Sequence, residues 1–139
     1  VGMDIYPLWR LVGPNVFAGR GYVSAPMMEN ALAALKPGNW RVAPTGEMPV
    51  RGLALVQFEG SWMARGLPLG AQLSHTHWIA VDGDSAGVCI YDINADAWTS
   101  REIWERDVLP RLLAVHKRST GWHVRRAYEI QPAVIAAAR

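Results

Sequence analysis

Two β-forming runs joined by a short polar turn limit this chain more than any other feature. Leu73 to Val81 is a strong strand candidate, Val88 to Ile93 is rich in strand-forming residues, and Asp82-Gly83-Asp84-Ser85-Ala86-Gly87 between them has turn chemistry. This pattern predicts an antiparallel hairpin. Alternate residues of a strand share a face, so His75, His77, Ile79 and Val81 point together. A turn over residues 82 to 87 pairs Val81 with Val88 and puts His77 opposite Asp92, on the same face.

The rest of the chain supplies helices around such a hairpin. Residues 1–23 hold Pro7, Gly13, Pro14, Gly19 and Gly21 and read as irregular. Ser24 is placed to cap a helix from Pro26 to Lys36, with Met28, Leu32 and Leu35 on one stripe and Pro37-Gly38 as the stop. Leu53 to Phe58 is a short apolar run of strand length, and Gly60 to Gly70 reads as a loop containing Trp62. Thr99 with Glu102 forms a capping-box pattern ahead of a helix reaching toward Arg118, which Pro110 should kink or divide. Trp122 to Ile130 reads as a last strand, and Gln131 to Arg139 as a tail. Neighbouring strands with helices outside them predict a single α+β domain over residues 1–139, built on a small, mostly antiparallel sheet.

Composition narrows the setting. The chain has 139 residues, half of them apolar, enough for one hydrophobic core. The formal charge of +2 is too small to imply nucleic acid by itself. His116-Lys117-Arg118 and Arg125-Arg126 are a candidate phosphate stripe, but a helix end followed by a solvated strand is the favoured reading. Seven tryptophans read as core and rim residues first, and as groove walls second. The one cysteine excludes an internal disulfide framework and points to a reducing, cytoplasmic setting. No run is long enough to span a bilayer, and Asp4, Trp9 and Arg10 interrupt any signal-peptide pattern. Val1-Gly2 reads as an expression scar ahead of a native Met3, or the chain as a piece of something longer.

The candidate chemistry lies at His77 and Asp92. A strand histidine whose tautomer is fixed by a carboxylate can act as a general base. A metal reading, with His75, His77 and Asp92 as a facial triad, ranks lower because no zinc-type spacing accompanies it. No cofactor-binding glycine loop is present, as Gly19-Arg20-Gly21 lacks a strand-to-helix context.

His77-Trp78 followed by small apolar residues, a turn and a strand ending in Asp92 resembles the second half of papain-like cysteine peptidases. The likeness is greatest to compact bacterial peptidase-like domains related to bacteriocin-processing proteases. It covers about residues 20 to 105, with the helix after Gly21-Tyr22-Val23-Ser24-Ala25-Pro26 and the strand Leu53 to Phe58 in similar order. The resemblance implies a papain-like fold in which His77 is the base, Asp92 orients it, and the substrate is a peptide or protein. It also implies a nucleophilic cysteine upstream at a helix start, and no cysteine precedes Cys89. Cys89 is three residues from Asp92, faces the other side of that strand, and is expected to be buried and inert. Ser24 stands where the family shows its cysteine, and is read as an N-cap first and a nucleophile second.

The leading expectation is a peptidase-type domain without its nucleophile, either truncated or a pseudoenzyme. The alternatives are a non-catalytic module binding protein or, less favoured, nucleic acid, and a hydrolase using Ser24. The sequence leaves the oligomeric state open.

Overall fold

The computed structural model describes residues 23–131. The expectations for residues 1–22 and 132–139 lie outside the described residues.

The sheet is organised by the strand that is buried on both faces. β2 (Arg51–Glu59) has unbroken burial from Gly52 to Phe58, the mark of a strand covered on two sides. It lies inside a six-stranded sheet of order β1-β6-β2-β3-β4-β5, with every pairing antiparallel. The other strands are β1 (Trp40–Val42), β3 (Thr76–Asp84), β4 (Gly87–Asp92), β5 (Ala97–Ser100) and β6 (Gly121–Ile130). The architecture is α+β, with helices on both faces of the sheet.

Alternation along the strands separates two cores. Ala54, Val56 and Phe58 of β2, with Ile79, Val81 and Ile90, pack against Trp104, Val108, Leu109 and Leu112. Those last four belong to α3 (residues 101–115). Leu53, Ala80, Tyr128 and Ile130 face the other way and pack against Met28, Ala31 and Leu32 of α1 (Ala25–Leu35). Trp78 and Tyr91 lie on the α1 side. Odd-numbered residues of β3 therefore face α3, and even-numbered ones face α1.

α1 forms as its sequence dictates. Ser24 Oγ accepts a bond from Met27 N, Pro26 sits in the first turn, and the helix ends at Leu35 before Pro37. The long helix begins one residue later than expected. Ser100, not Thr99, is the N-cap, with its Oγ accepting from Ile103 N. Thr99 is instead held in β5 opposite Ile90, so its side chain faces the α3 core. Its buried Oγ1 has no hydrogen-bond partner among the described residues. Thr99→Val should therefore be neutral or stabilise by up to about 1 kcal/mol in a denaturant titration, because it removes an orphaned hydroxyl at nearly constant volume.

Pro110 divides α3 as expected. A π turn, Trp104–Val108, separates Arg101–Ile103 from Leu109–Val115, and Leu109 N–H reaches back to Trp104 O. The helix stops at Val115, short of Arg118. Two further stretches differ from expectation. Leu69–Leu73 is a short helix, α2, so β3 starts at Thr76 rather than Leu73. The loop after Gly60 contains a 3-10 turn at Ser61–Met63, whose Trp62 Nε1 donates to Phe58 O at 2.6 Å.

Candidate active site

The hairpin that carries the site is tighter than its composition suggests. β3 and β4 pair as Val81↔Ile90 and Asp84↔Gly87, leaving only Ser85 and Ala86 as the loop. Asp84 Oδ1 accepts from Ala86 N at 2.7 Å, and Gly87 takes the positive φ of 138° that closes the turn. The register is thus displaced by two residues from Val81↔Val88. A two-residue slip preserves the face of every side chain. His77 is therefore diagonal to Asp92 rather than opposite it, and its imidazole spans the extra distance.

His77 Nε2 lies 2.9 Å from Asp92 Oδ2. The approach is close but poorly aligned, and Nε2 has no well-directed hydrogen bond. Asp92 itself is firmly held. It is 1% exposed, and its Oδ2 also accepts from Trp104 Nε1 at 2.8 Å. Its Oδ1 accepts from Asn94 N at 2.9 Å and from Asn94 Nδ2 at 3.2 Å. The Asp92 backbone carbonyl takes the amides of Ala95 and Asp96, so the same residue builds the β4–β5 turn. Burial by itself pushes the Asp92 carboxyl up, but contact with His77 and its charge, with the indole and the Asn94 amide, hold it below its ordinary value.

This geometry sets the Asp92 carboxylate beside one side of the imidazole and leaves the other available. No hydrogen bond to His77 Nδ1 forms among the described residues, and the side chain is 16% exposed. His75 and His116 lie nearby and make their own contact, Nδ1 to Nδ1, at 2.8 Å. No group of three or more His, Cys, Asp or Glu side chains among the described residues has metal-binding geometry. The facial-triad reading of His75, His77 and Asp92 is therefore not supported.

Neither alternative nucleophile meets His77. Ser24 caps α1, whose residues pack on the sheet face opposite His77, and its Oγ is engaged with Met27 N. Cys89 is exposed, which corrects the expectation of a buried thiol. Its strand is one in from the β5 edge, and α1 covers the sheet around Leu53, Ala80 and Tyr128 without reaching it. Cys89 faces away from Ile90 and so away from His77. A thiol reagent should label one cysteine per chain rapidly without denaturant; labelling only on unfolding would contradict the exposed position.

No protein-family model, curated protein or solved structure matches this chain.

Its chemistry is thus read from its own geometry, and that geometry includes residues the sequence did not single out. Trp104 reads as one more apolar residue of a helical stripe. The only sequence-level signal for its second role is that a buried indole N–H needs an acceptor. The basic residues are also redistributed. A bulge opposite Leu55 and Val56 turns both Arg125 and Arg126 toward the α1 side. There Arg126 pairs with Glu29 at 2.9 Å, and Arg125 Nη1 donates to Gln57 Oε1 and Gln72 Oε1. His116 turns inward and stacks on Phe58. Arg125 and Arg126 are thus engaged by protein groups on the α1 side, whereas His116 packs on the α3 side. A second histidine–carboxylate pair, His123 with Glu59 at 2.7 Å, is about two-fifths exposed at both side chains and contributes little as a surface pair. No helix among the described residues is long and apolar enough to cross a membrane.

Proposed function

We propose that this chain carries the base-and-orienter half of a papain-like cysteine-peptidase-type site, with His77 as base and Asp92 as orienter, and that it does not itself cleave peptides. The observation that carries this reading is a buried carboxylate with three protein donors, besides a backbone turn, whose Oδ2 meets His77 Nε2. A lone structural histidine needs no such support. The pair differs from a working triad in two respects: the His77–Asp92 approach is close but poorly aligned, and neither Ser24 nor Cys89 faces the imidazole. A peptide-binding pseudoenzyme, or a scaffold whose nucleophile comes from elsewhere, fits this arrangement.

An oriented imidazole with its Nδ1 lone pair open can still take a proton from water as the water attacks an activated carbonyl. The carbonyl–oxygen bond to a good leaving group then breaks, and the proton passes to solvent. The purified chain should therefore hydrolyse a p-nitrophenyl ester slowly, and His77→Ala should remove most of that rate while His123→Ala leaves it intact. Peptide substrates should not turn over at a cysteine-peptidase rate. Ester hydrolysis indifferent to His77→Ala would refute the base assignment. Peptide turnover abolished by Ser24→Ala would replace this reading with a serine hydrolase.

A further inference from the structure

At one end of the α3 side of the sheet, two histidines meet head to head. His75 Nδ1 lies 2.8 Å from His116 Nδ1 in a hydrogen bond. Such a bond needs one nitrogen to carry a proton and the other to offer its lone pair. Two protonated imidazoles cannot make it. Each ring is braced by an aromatic side chain. His75 stacks on Trp62 with centroids 3.7 Å apart and planes 13° from parallel, and His116 stacks on Phe58 at 4.5 Å and 27°.

The pair joins two pieces of backbone that are far apart in sequence. His116 is the C-cap of α3, with its amide bonded to Leu112 O. His75 links α2 to β3: its amide donates to Gln72 O, and its carbonyl accepts from Phe58 N. The side-chain bond thus ties the end of α3 to the beginning of the strand that bears His77.

We propose that His75 and His116 form an acid-released latch, closed when the pair is neutral and opened when both rings are protonated, which controls how firmly the end of α3 sits against the His77 region of the sheet. The latch is a property of the fold and does not depend on the hydrolytic reading of His77.

The surroundings oppose a second proton. Phe58 of β2 and Trp62 of the 3-10 turn present uncharged aromatic faces. β3 presents His77, whose charge bears on His116, with Asp92 of β4 behind it already engaged by His77 and Trp104. Lys117 and Arg118 follow directly after His116. Neither His75 nor His116 has a carboxylate at ion-pair distance among the described residues; the histidines that do are His77 and His123. Both rings accordingly titrate below the ordinary histidine value, His75 through burial, and His116 through burial and then the charges of His75 and His77. A lowered folded value means that the folded state binds fewer protons. The latch then contributes fully above the unfolded value of about 6.5, and that contribution is lost as pH falls through the lowered folded values.

Hydrogen exchange of the intact chain at about pH 7.5 and about pH 5.5, corrected for intrinsic rates, tests this. Amides at residues 73–76 and 112–119, and the Phe58 amide bonded to His75 O, should lose protection by about tenfold at the lower pH, with residues 52–56 of β2 and β6 unaffected, since a 1.4 kcal/mol change in local opening is a factor of ten. His75→Gln and His116→Gln should each clearly weaken this pH response, because the ring that remains has lost its latch partner and keeps only its own burial, with thermal unfolding near neutral pH confirming the fold. Should either glutamine variant fail to fold, His75→Phe keeps the stack on Trp62 and must also weaken the response. Equal wild-type protection at both pH values, or an unchanged acid response in a folded variant, would overturn the latch.

Discussion

Gly52→Ala is expected to be among the most damaging single substitutions in this protein, costing more than about 4 kcal/mol and in practice soluble yield. Gly52 lies in β2, between Val81 of β3 and Glu129 of β6, with φ at 157°. A β-carbon there would stand 1.8 Å from the Tyr128 carbonyl oxygen and 2.9 Å from its carbon. The obstacle is backbone of the neighbouring strand, so no rotamer relieves it. The β2–β6 ladder must separate, and both cores lean on that ladder. Gly87→Ala provides the contrast. Its φ is also positive, at 138°, but nothing lies within 4 Å of the added carbon, so backbone strain of about 1–3 kcal/mol is the whole cost. Denaturant melts of the two variants should therefore differ widely. Near-equal stability would mean that β2 and β6 are not paired in this register.

Asp92→Ala carries the second large effect, a loss of about 3–5 kcal/mol. Removing the carboxylate strands the Trp104 indole N–H in a side chain that is 0% exposed, and deprives the Asn94 amide of its acceptor. Trp104→Phe removes the stranded donor. In a double-mutant cycle, Asp92→Ala should therefore cost less in the Trp104→Phe background than alone. The pH dependence has a definite sign. The Asp92 carboxyl titrates below its ordinary value, against the upward push of burial, because of His77, Trp104 and Asn94. Its contribution to stability is then present above the unfolded value of about 3.9 and fades as pH falls through the lower folded value. Wild type should lose stability over that acid range more steeply than Asp92→Ala, measured by urea titration at successive pH values.

Much of this molecule is legible in its sequence where local chemistry decides the outcome. The Ser24 cap, the Pro37 stop, the break at Pro110, the last strand and the common face of His77 and Asp92 all follow from residue type and period. What is hidden depends on partners distant in the chain. β1 and β5 are three and four residues long and exist because β6 and β4 offer them edges. Thr99 and Ser100 are both capable N-caps, and only the pairing of Thr99 with Ile90 decides between them. Cys89 has the composition of a buried strand around it, yet its exposure is set by how far α1 extends over the sheet. The hairpin register slipped by two because Asp84 and Gly87 extend the ladder into the polar turn. His77 and Asp92 still meet after that slip only because the displacement was even.

In the proposed site Asp92 orients His77 through Nε2 and leaves Nδ1 open. Nitrogen-15 spectra of the neutral His77 ring, recorded at alkaline pH, report which nitrogen holds the proton. A single neutral tautomer is expected, with the proton on Nε2, facing Asp92 Oδ2 at 2.9 Å, and a bare Nδ1. A proton on Nδ1, with Nε2 bare toward the carboxylate, would contradict it.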